Sequence, residues 1–238
     1  MRVADFVIEF LEKKGISTVF TVSGGGSIFL CDALYKAKKL KYIPCHHEQA
    51  VAYAAEGFAR VKNKPGAAVV TTGPGGTNST SGVACCWIDS VPAMFISGQV
   101  FLNQTIGNSG IRQIGVQEFD IVNMVKSSTK YAVIVKRPDD IKYHLEKAYH
   151  LCSTGRPGPV WIDIPANIQN AKIVPNKLKG FKQPKKLKNK NSLNKKIQQI
   201  AKELIKHDRP LIHLGRGAKI SNCEKIFKKF IKKFNIPF

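Results

Sequence analysis

Apolar positions recur at helical spacing from the first turn, where Val3, Phe6, Val7, Phe10 and Leu11 fall on one side of a helix. A short apolar run, Val19–Val22, follows and reads as a strand. The alternation then continues. Helices are expected near Ser27–Ala37, Glu48–Lys62, Thr77–Ser90 and Asp139–Cys152, and strands near Tyr42–Cys45, Ala67–Thr71, Ala93–Ser97, Tyr131–Val135 and Val160–Ile164. Strands separated by helical segments imply an α/β fold, a parallel sheet with helices on both faces. In such sheets ligands sit beyond the carboxyl ends of the strands, where the Gly-rich turns of this chain fall.

From Pro165 to about Asn191 the periodicity lapses into a Pro- and Lys-rich connector. Ile197, Ile200, Leu204 and Ile205 restart a helix, Pro210–Leu214 reads as a strand, and a last helix is expected around Cys223–Phe234 before Asn235–Phe238 resembles the start of another strand. The expected organisation is a first domain over 1–170, a Lys/Pro-rich linker over 171–192, and an incomplete second α/β domain over 193–238, since one strand and two helices enclose no core of their own.

Composition changes this picture little. No run of about 20 apolar residues marks a membrane span and no leader segment is evident, so the expected location is cytoplasmic. The six cysteines lack the spacing of a zinc site or the density of a disulfide scaffold, and read as reduced, mostly buried small residues. The formal charge of +22, from 38 basic and 16 acidic side chains, raises nucleic acid as a partner. Its distribution argues against one: Lys185, Lys186, Lys188, Lys190, Lys195 and Lys196 lie in a polar stretch without interleaved aromatics, the pattern of a solvated face.

Candidate chemistry lies in the turns. Ser23–Ser27, Thr71–Asn78 and Gly215-Arg216-Gly217 each allow close approach to the backbone before a helix, although tight turns need glycine for conformational reasons alone. None matches a P-loop or a clean dinucleotide fingerprint. His46-His47-Glu48-Gln49-Ala50 is more specific, because Glu48 opens an Ala-rich helix immediately after a strand. An acid there can also serve simply as a partner for the helix dipole. If His46 and His47 lie on a strand their side chains point to opposite sides, which argues against shared metal binding and leaves His47 as a wall of the site.

The pairing of Glu48 with Gly73-Pro74-Gly75-Gly76-Thr77-Asn78 decides between these readings. With Asp89-Ser90-Val91-Pro92, Ser97-Gly98-Gln99-Val100, Gln117-Glu118 and Ser153–Val160, the chain over about residues 1–170 resembles the pyrimidine-binding domain of the thiamine-diphosphate enzymes of the acetolactate synthase, pyruvate oxidase and benzoylformate decarboxylase superfamily. The resemblance implies that Glu48 hydrogen-bonds N1′ of the cofactor's aminopyrimidine and favours the imino tautomer, which removes the thiazolium C2 proton. The carbanion so formed attacks a 2-oxo acid such as pyruvate, and after decarboxylation the fragment passes to a carbonyl acceptor. Thr71, Pro74 and Asn78 match positions lining the aminopyrimidine, Gly24 and Gly25 match the first glycine loop, and Gln117 matches a glutamine near the reacting carbon.

The same resemblance implies a homodimer or homotetramer built through this domain, with Mg²⁺ held on a Gly-Asp-Gly motif that does not occur in these 238 residues. The isolated chain is therefore expected to be inactive. The alternatives are a non-catalytic half-subunit that needs a separate diphosphate-binding chain, or an inactive remnant. Arg156, Gly215 and Gly217 match regions that hold FAD in flavin-containing members, or else merely shape turns. Val116, where a phenylalanine is usual, and the long segment Gln104–Gly115 leave the acceptor substrate open.

Overall fold

The computed structural model describes residues 1–184 and 190–238, and divides into two compact units, Met1–Gln183 and Pro184–Phe238. Lys185, Lys186 and Lys188 of the expected linker lie outside the described residues.

In the first unit six strands form one sheet: β1 Thr18–Thr21, β2 Lys41–Pro44, β3 Gly66–Val70, β4 Ala93–Gln99, β5 Tyr131–Ile134 and β6 Pro159–Pro165. Their order is β2-β1-β3-β4-β6-β5, and every pairing is parallel. Parallel strands need crossovers, which here are helices on both faces. The central strands β3, β4 and β6 are buried throughout, so they read in the sequence as continuous apolar runs rather than alternating ones.

Side-chain alternation sorts these strands into two cores. On one face Ala67, Val69, Met94, Ile96, Val160, Ile162 and Ile164 pack with α1 (Val3–Lys13), α2 (Ile28–Lys36) and α7 (Ile141–Ser153). On the other, Ala68, Val70, Ala93, Phe95 and Trp161 pack with α3 (Glu48–Lys62), α5 (Thr80–Ile88) and α6 (Ile121–Val125). Phe95 and Trp161 stack with ring centroids 5.4 Å apart. Burying each such ring contributes about 2–3 kcal/mol before packing terms.

Local signals set the helix ends. In α1, Asp5 accepts from the Arg2 backbone N–H at 3.1 Å, while the Arg2 guanidinium pairs with Asp5 and Asp32 at 2.6 Å, joining α1 to α2. Helix α3 ends where Asn63 turns left-handed. The single helix expected over Thr77–Ser90 is two, α4 (Pro74–Thr77) and α5, because Pro74 starts the turn early and the Ser79 hydroxyl donates to the Gly75 carbonyl at 3.1 Å. Two short helices, α6 and α8 (Ala166–Asn170), fall where periodicity is too brief to show.

The first unit extends beyond residue 170. Ile173 and Leu178 are buried in its core, the Ile173 N–H donates to the Met1 carbonyl at 2.9 Å, and the Phe181 N–H reaches Glu146 Oε2 at 2.7 Å. Residues 171–183, expected as linker, are a strap across α1 and α7.

The second unit contains α9 (Lys190–Lys206), α10 (Gly217–Ile220) and α11 (Glu224–Phe234). The expected strand Pro210–Leu214 is absent among the described residues. A single backbone bond, from Ile212 N–H to the Pro237 carbonyl at 3.0 Å, joins it to the last residues, and one bond is not a ladder.

Candidate functional site

Three parallel strands end at one edge of the sheet, and their following turns converge there. After β1 the turn Gly24–Gly26 enters a 3-10 helix, Gly25–Ser27; after β2, Cys45–His47 leads into α3; after β3, Thr71–Gly73 leads into α4. Glu48 is the first residue of α3. Its Oε2 accepts from Asn78 Nδ2 at 3.0 Å, and among the described residues no hydrogen bond reaches Oε1, which lies 3.6 Å from where a Cβ on Gly75 would stand. Glu48 is half-buried and Asn78 exposed, so the carboxylate is only partly shielded from water.

Thr71 joins the turn after β1 to the turn after β3, because its Oγ1 accepts from the Gly26 N–H at 3.1 Å. Gly24 is fixed from the same direction, its carbonyl accepting from the Ser27 hydroxyl at 3.2 Å. Gly25 is exposed. Pro74 opens α4 and its carbonyl receives the Asn78 N–H at 2.9 Å. Gln117 arrives from a distant loop with φ +60° and an exposed side chain, and it is its backbone that meets the turn. A Cβ on Gly73, itself at φ +56°, would stand 2.2 Å from the Gln117 carbonyl oxygen, so only glycine allows this approach.

The structure thus links Gly24, Thr71, Pro74, Asn78 and the Gln117 backbone through adjoining turns, and Asn78 and Gly75 bring the Glu48 carboxylate to them. His46 and His47 are not on a strand, since β2 stops at Pro44. His47 caps α3, its Nδ1 accepting from the Gln49 N–H at 3.1 Å. Among the described residues no cluster of three His, Cys, Asp or Glu could hold a metal ion. Arg156 donates to Ser90 Oγ at 2.7 Å and to the Ile88 carbonyl at 3.5 Å, and its own carbonyl receives Lys130 Nζ at 2.7 Å, which are the bonds of a turn-shaping residue. Gly215 and Gly217 belong to the second unit, at the start of the one-turn α10 and without the preceding strand that a βα ligand turn requires.

Beneath the site lies a polar network that sequence reasoning did not assign. Thr72 donates to Gln99 Oε1, Gln99 Nε2 donates to Asp163 Oδ2 at 3.1 Å and to the Phe119 carbonyl at 3.0 Å, and the Ser97 hydroxyl meets Asp163 Oδ1 at 2.5 Å. Trp161 Nε1 donates to Ser97 Oγ at 2.8 Å. Burial pushes the Asp163 carboxyl up to about 7, with smaller upward contributions from Asp120 and Glu118, while its bonds from Ser97 and Gln99 oppose the rise. The signal in the sequence is an acid inside the apolar run Val160–Ile164. Gln169 is the second omission: fully buried, it donates to the Gly26 carbonyl at 2.6 Å and fastens the first glycine turn to α8.

Gln104–Gly115 forms a loop closed at its neck by the Gly115 N–H on the Gln104 carbonyl at 2.9 Å. The buried Glu118 carboxylate holds it, accepting from Ile106 N–H at 2.8 Å and Ile114 N–H at 3.2 Å. All six cysteines are free. Only Cys86 and Cys152 are fully buried, the others half-buried, and burial pushes Cys152 up to about 12 and raises Cys86 as well, which disfavours the thiolate in both.

The family model described as "Thiamine pyrophosphate enzyme, N-terminal TPP binding domain" matches residues 1–124. Similar proteins include an acetolactate synthase, chloroplastic, of Arabidopsis thaliana, 35% identical over 236 residues, which are 98% of this chain and 34% of that protein. An acetolactate synthase large subunit of Lactococcus lactis is 32% identical over 234 residues, 98% of this chain and 40% of the relative. A probable acetolactate synthase large subunit of Methanocaldococcus jannaschii is 35% identical over 245 residues, covering 100% of this chain and 39% of the relative. The chain spans about 34–40% of the length of these relatives.

Proposed function

The chain belongs to the thiamine pyrophosphate enzymes, as an acetolactate synthase-like N-terminal domain, and from that membership we propose that it supplies the pyrimidine side of a thiamine-diphosphate site in a 2-oxo acid decarboxylating carboligase. The observation that carries this reading is the half-open Glu48 carboxylate, with Oε2 held by Asn78 and Oε1 without a partner among the described residues.

A ring nitrogen with a shareable proton fits such a carboxylate. Asn78 restrains its rotation, the absence of a side chain at Gly75 keeps the approach to Oε1 clear of a Cβ, and a charge-assisted bond in this half-buried position is stronger than in water. When bound, thiamine diphosphate supplies the electron sink for loss of carbon dioxide. Glu48 then holds or shares the proton at the ring's N1′, Thr71 and Pro74 orient the ring, and the loop carrying Gln117 closes one side against water. Magnesium belongs to the diphosphate end, to which none of these residues is assigned. The Arg156 bonds favour its turn-shaping role over an FAD contact.

Glu48→Ala tests the assignment. Titration calorimetry of the chain with thiamine diphosphate and Mg²⁺ should show affinity weakened by about 10- to 100-fold, the worth of one hydrogen bond to a charged group. Equal affinities for wild type and variant overturn it. The sequence contains no Gly-Asp-Gly, so the reading gives this chain the pyrimidine side alone. Pyruvate turnover by the 238 residues is then expected to be absent, and to appear with a copy or partner that carries the diphosphate motif. Saturable turnover by the isolated chain, abolished in Glu48→Gln, contradicts that expectation.

A further inference from the structure

Gln99 has every hydrogen-bonding position of its side-chain amide in use. Its Oε1 accepts from the Thr72 hydroxyl and, at 3.0 Å, from the Val100 N–H; its Nε2 donates to Asp163 Oδ2 and to the Phe119 carbonyl. Gln99 is 2% exposed and Asp163 1%, so the bonds to Thr72 and Asp163 are shielded from water, while those to Val100 and Phe119 are partly so. The two ends of this amide point to different parts of the chain. Thr72 belongs to the turn that carries Thr71, Pro74 and Asn78, and its hydroxyl also lies 3.4 Å from the Gln117 carbonyl; Phe119 follows Gln117.

Asp163 is the fixed end of this arrangement. It pairs in register with Ser97 across two central strands, and Ser97 is itself held by Trp161 in the aromatic stack. An apolar side chain at 163 would fill the sheet equally well but leave one Gln99 N–H buried without an acceptor, which costs about 1–3 kcal/mol.

We propose that Asp163 is a positioning residue: through the Gln99 amide it anchors the turn 71–78 and the loop 117–119 to the sheet, and so holds the wall that faces Glu48. The inference rests on the pyrimidine reading for what the wall binds, but not for the anchoring itself. What the anchor requires of residue 163 is an acceptor toward Gln99, not a charge. The ionisable groups facing it, Glu118 and Asp120 on the loop side and Lys136 beyond β5, line the adjoining cavity of about 460 Å³.

The test uses the full chain with three variants, Asp163→Asn, Asp163→Leu and Thr72→Val. Amide hydrogen exchange is read without ligand, and thiamine diphosphate affinity by calorimetry. Asp163→Asn keeps an oxygen toward Gln99 and should leave exchange at 117–119 within about twofold of wild type, while Thr72→Val and Asp163→Leu speed it by about five- to tenfold, the worth of one buried hydrogen bond. Cofactor affinity should fall in the same two variants and not in Asp163→Asn. If Asp163→Leu does not fold, Thr72→Val, at a buried position outside both apolar clusters, decides the point. Wild-type exchange at 117–119 in Thr72→Val overturns the proposal, as does an Asp163→Asn chain as loose as Thr72→Val. A wild-type chain with the expected exchange pattern but no affinity for thiamine diphosphate supports the anchor and overturns the pyrimidine reading instead.

Discussion

Asp163 shows how one residue can couple the site to pH. With its carboxyl raised from 3.8 to about 7, the folded chain keeps a proton that the unfolded chain releases across that range. The folded state therefore loses stability as pH rises from about 4 to about 7, and the loss is constant above that. Asp163→Asn should remove this component. Chemical unfolding from pH 4 to pH 8 is expected to show a flatter stability profile in the variant, and a profile as steep as that of wild type would mean that other groups dominate. The Trp161 indole N–H, one bond from Ser97, offers a local reading of the same event. Its resonance should titrate with a midpoint near 7 in wild type and stay flat in Asp163→Asn. Glu48 illustrates the complementary case. It stands out as a candidate because an acid at the first turn of an Ala-rich helix is conspicuous, whereas its bond with Asn78 joins residues thirty positions apart and has no local signature.

Among the elements, the turns after the strands carry the site, and strand β4 shapes them from below. Gly98 passes directly under the first glycine turn. A Cβ there would stand 2.1 Å from the Gly26 carbonyl oxygen and 2.5 Å from the Ser27 nitrogen, backbone atoms that cannot rotate away as a side-chain end could. Gly98→Ala should therefore push Gly24–Ser27 off Thr71, lower stability by about 1–3 kcal/mol, and weaken thiamine diphosphate binding. A calorimetric melt and a binding titration measure both effects. Unchanged values would show that the turn yields freely. Helix and strand positions were readable because the periods 3.6 and 2 are local properties of the chain. The break between α4 and α5 was not, because it depends on the Ser79 hydroxyl bonding the Gly75 carbonyl, a side-chain choice that periodicity does not register.

For the molecule as a whole, the six-stranded sheet and both its cores lie within Met1–Gln183, and of the second unit's described residues only Ile231 is a buried apolar side chain. Residues 1–183 should therefore fold alone. Both tryptophans, Trp87 and Trp161, lie in this part, so the fluorescence-detected unfolding midpoint of a 1–183 chain should fall within a few degrees of the full chain's, and a collapse of that transition would refute the division. The expected boundary near 170 was early because residues 171–183 have no periodicity of their own; they are held by Met1 and Glu146, contacts that only the folded chain creates. The expected strand at Pro210–Leu214 carried the right composition, yet strand formation is decided by a partner's backbone, and among the described residues only the Ile212–Pro237 bond reaches it. By itself, the sequence determined the α/β alternation, the glycine turns after the strands and the acid that opens α3, since periodicity, glycine placement and an isolated acid are written locally. Tertiary structure alone decided which polar groups meet: Glu48 with Asn78, Thr72 with Gln117, and Asp163 with Gln99, because hydrogen bonds between distant residues follow from strand order and register, and neither is encoded at any one position.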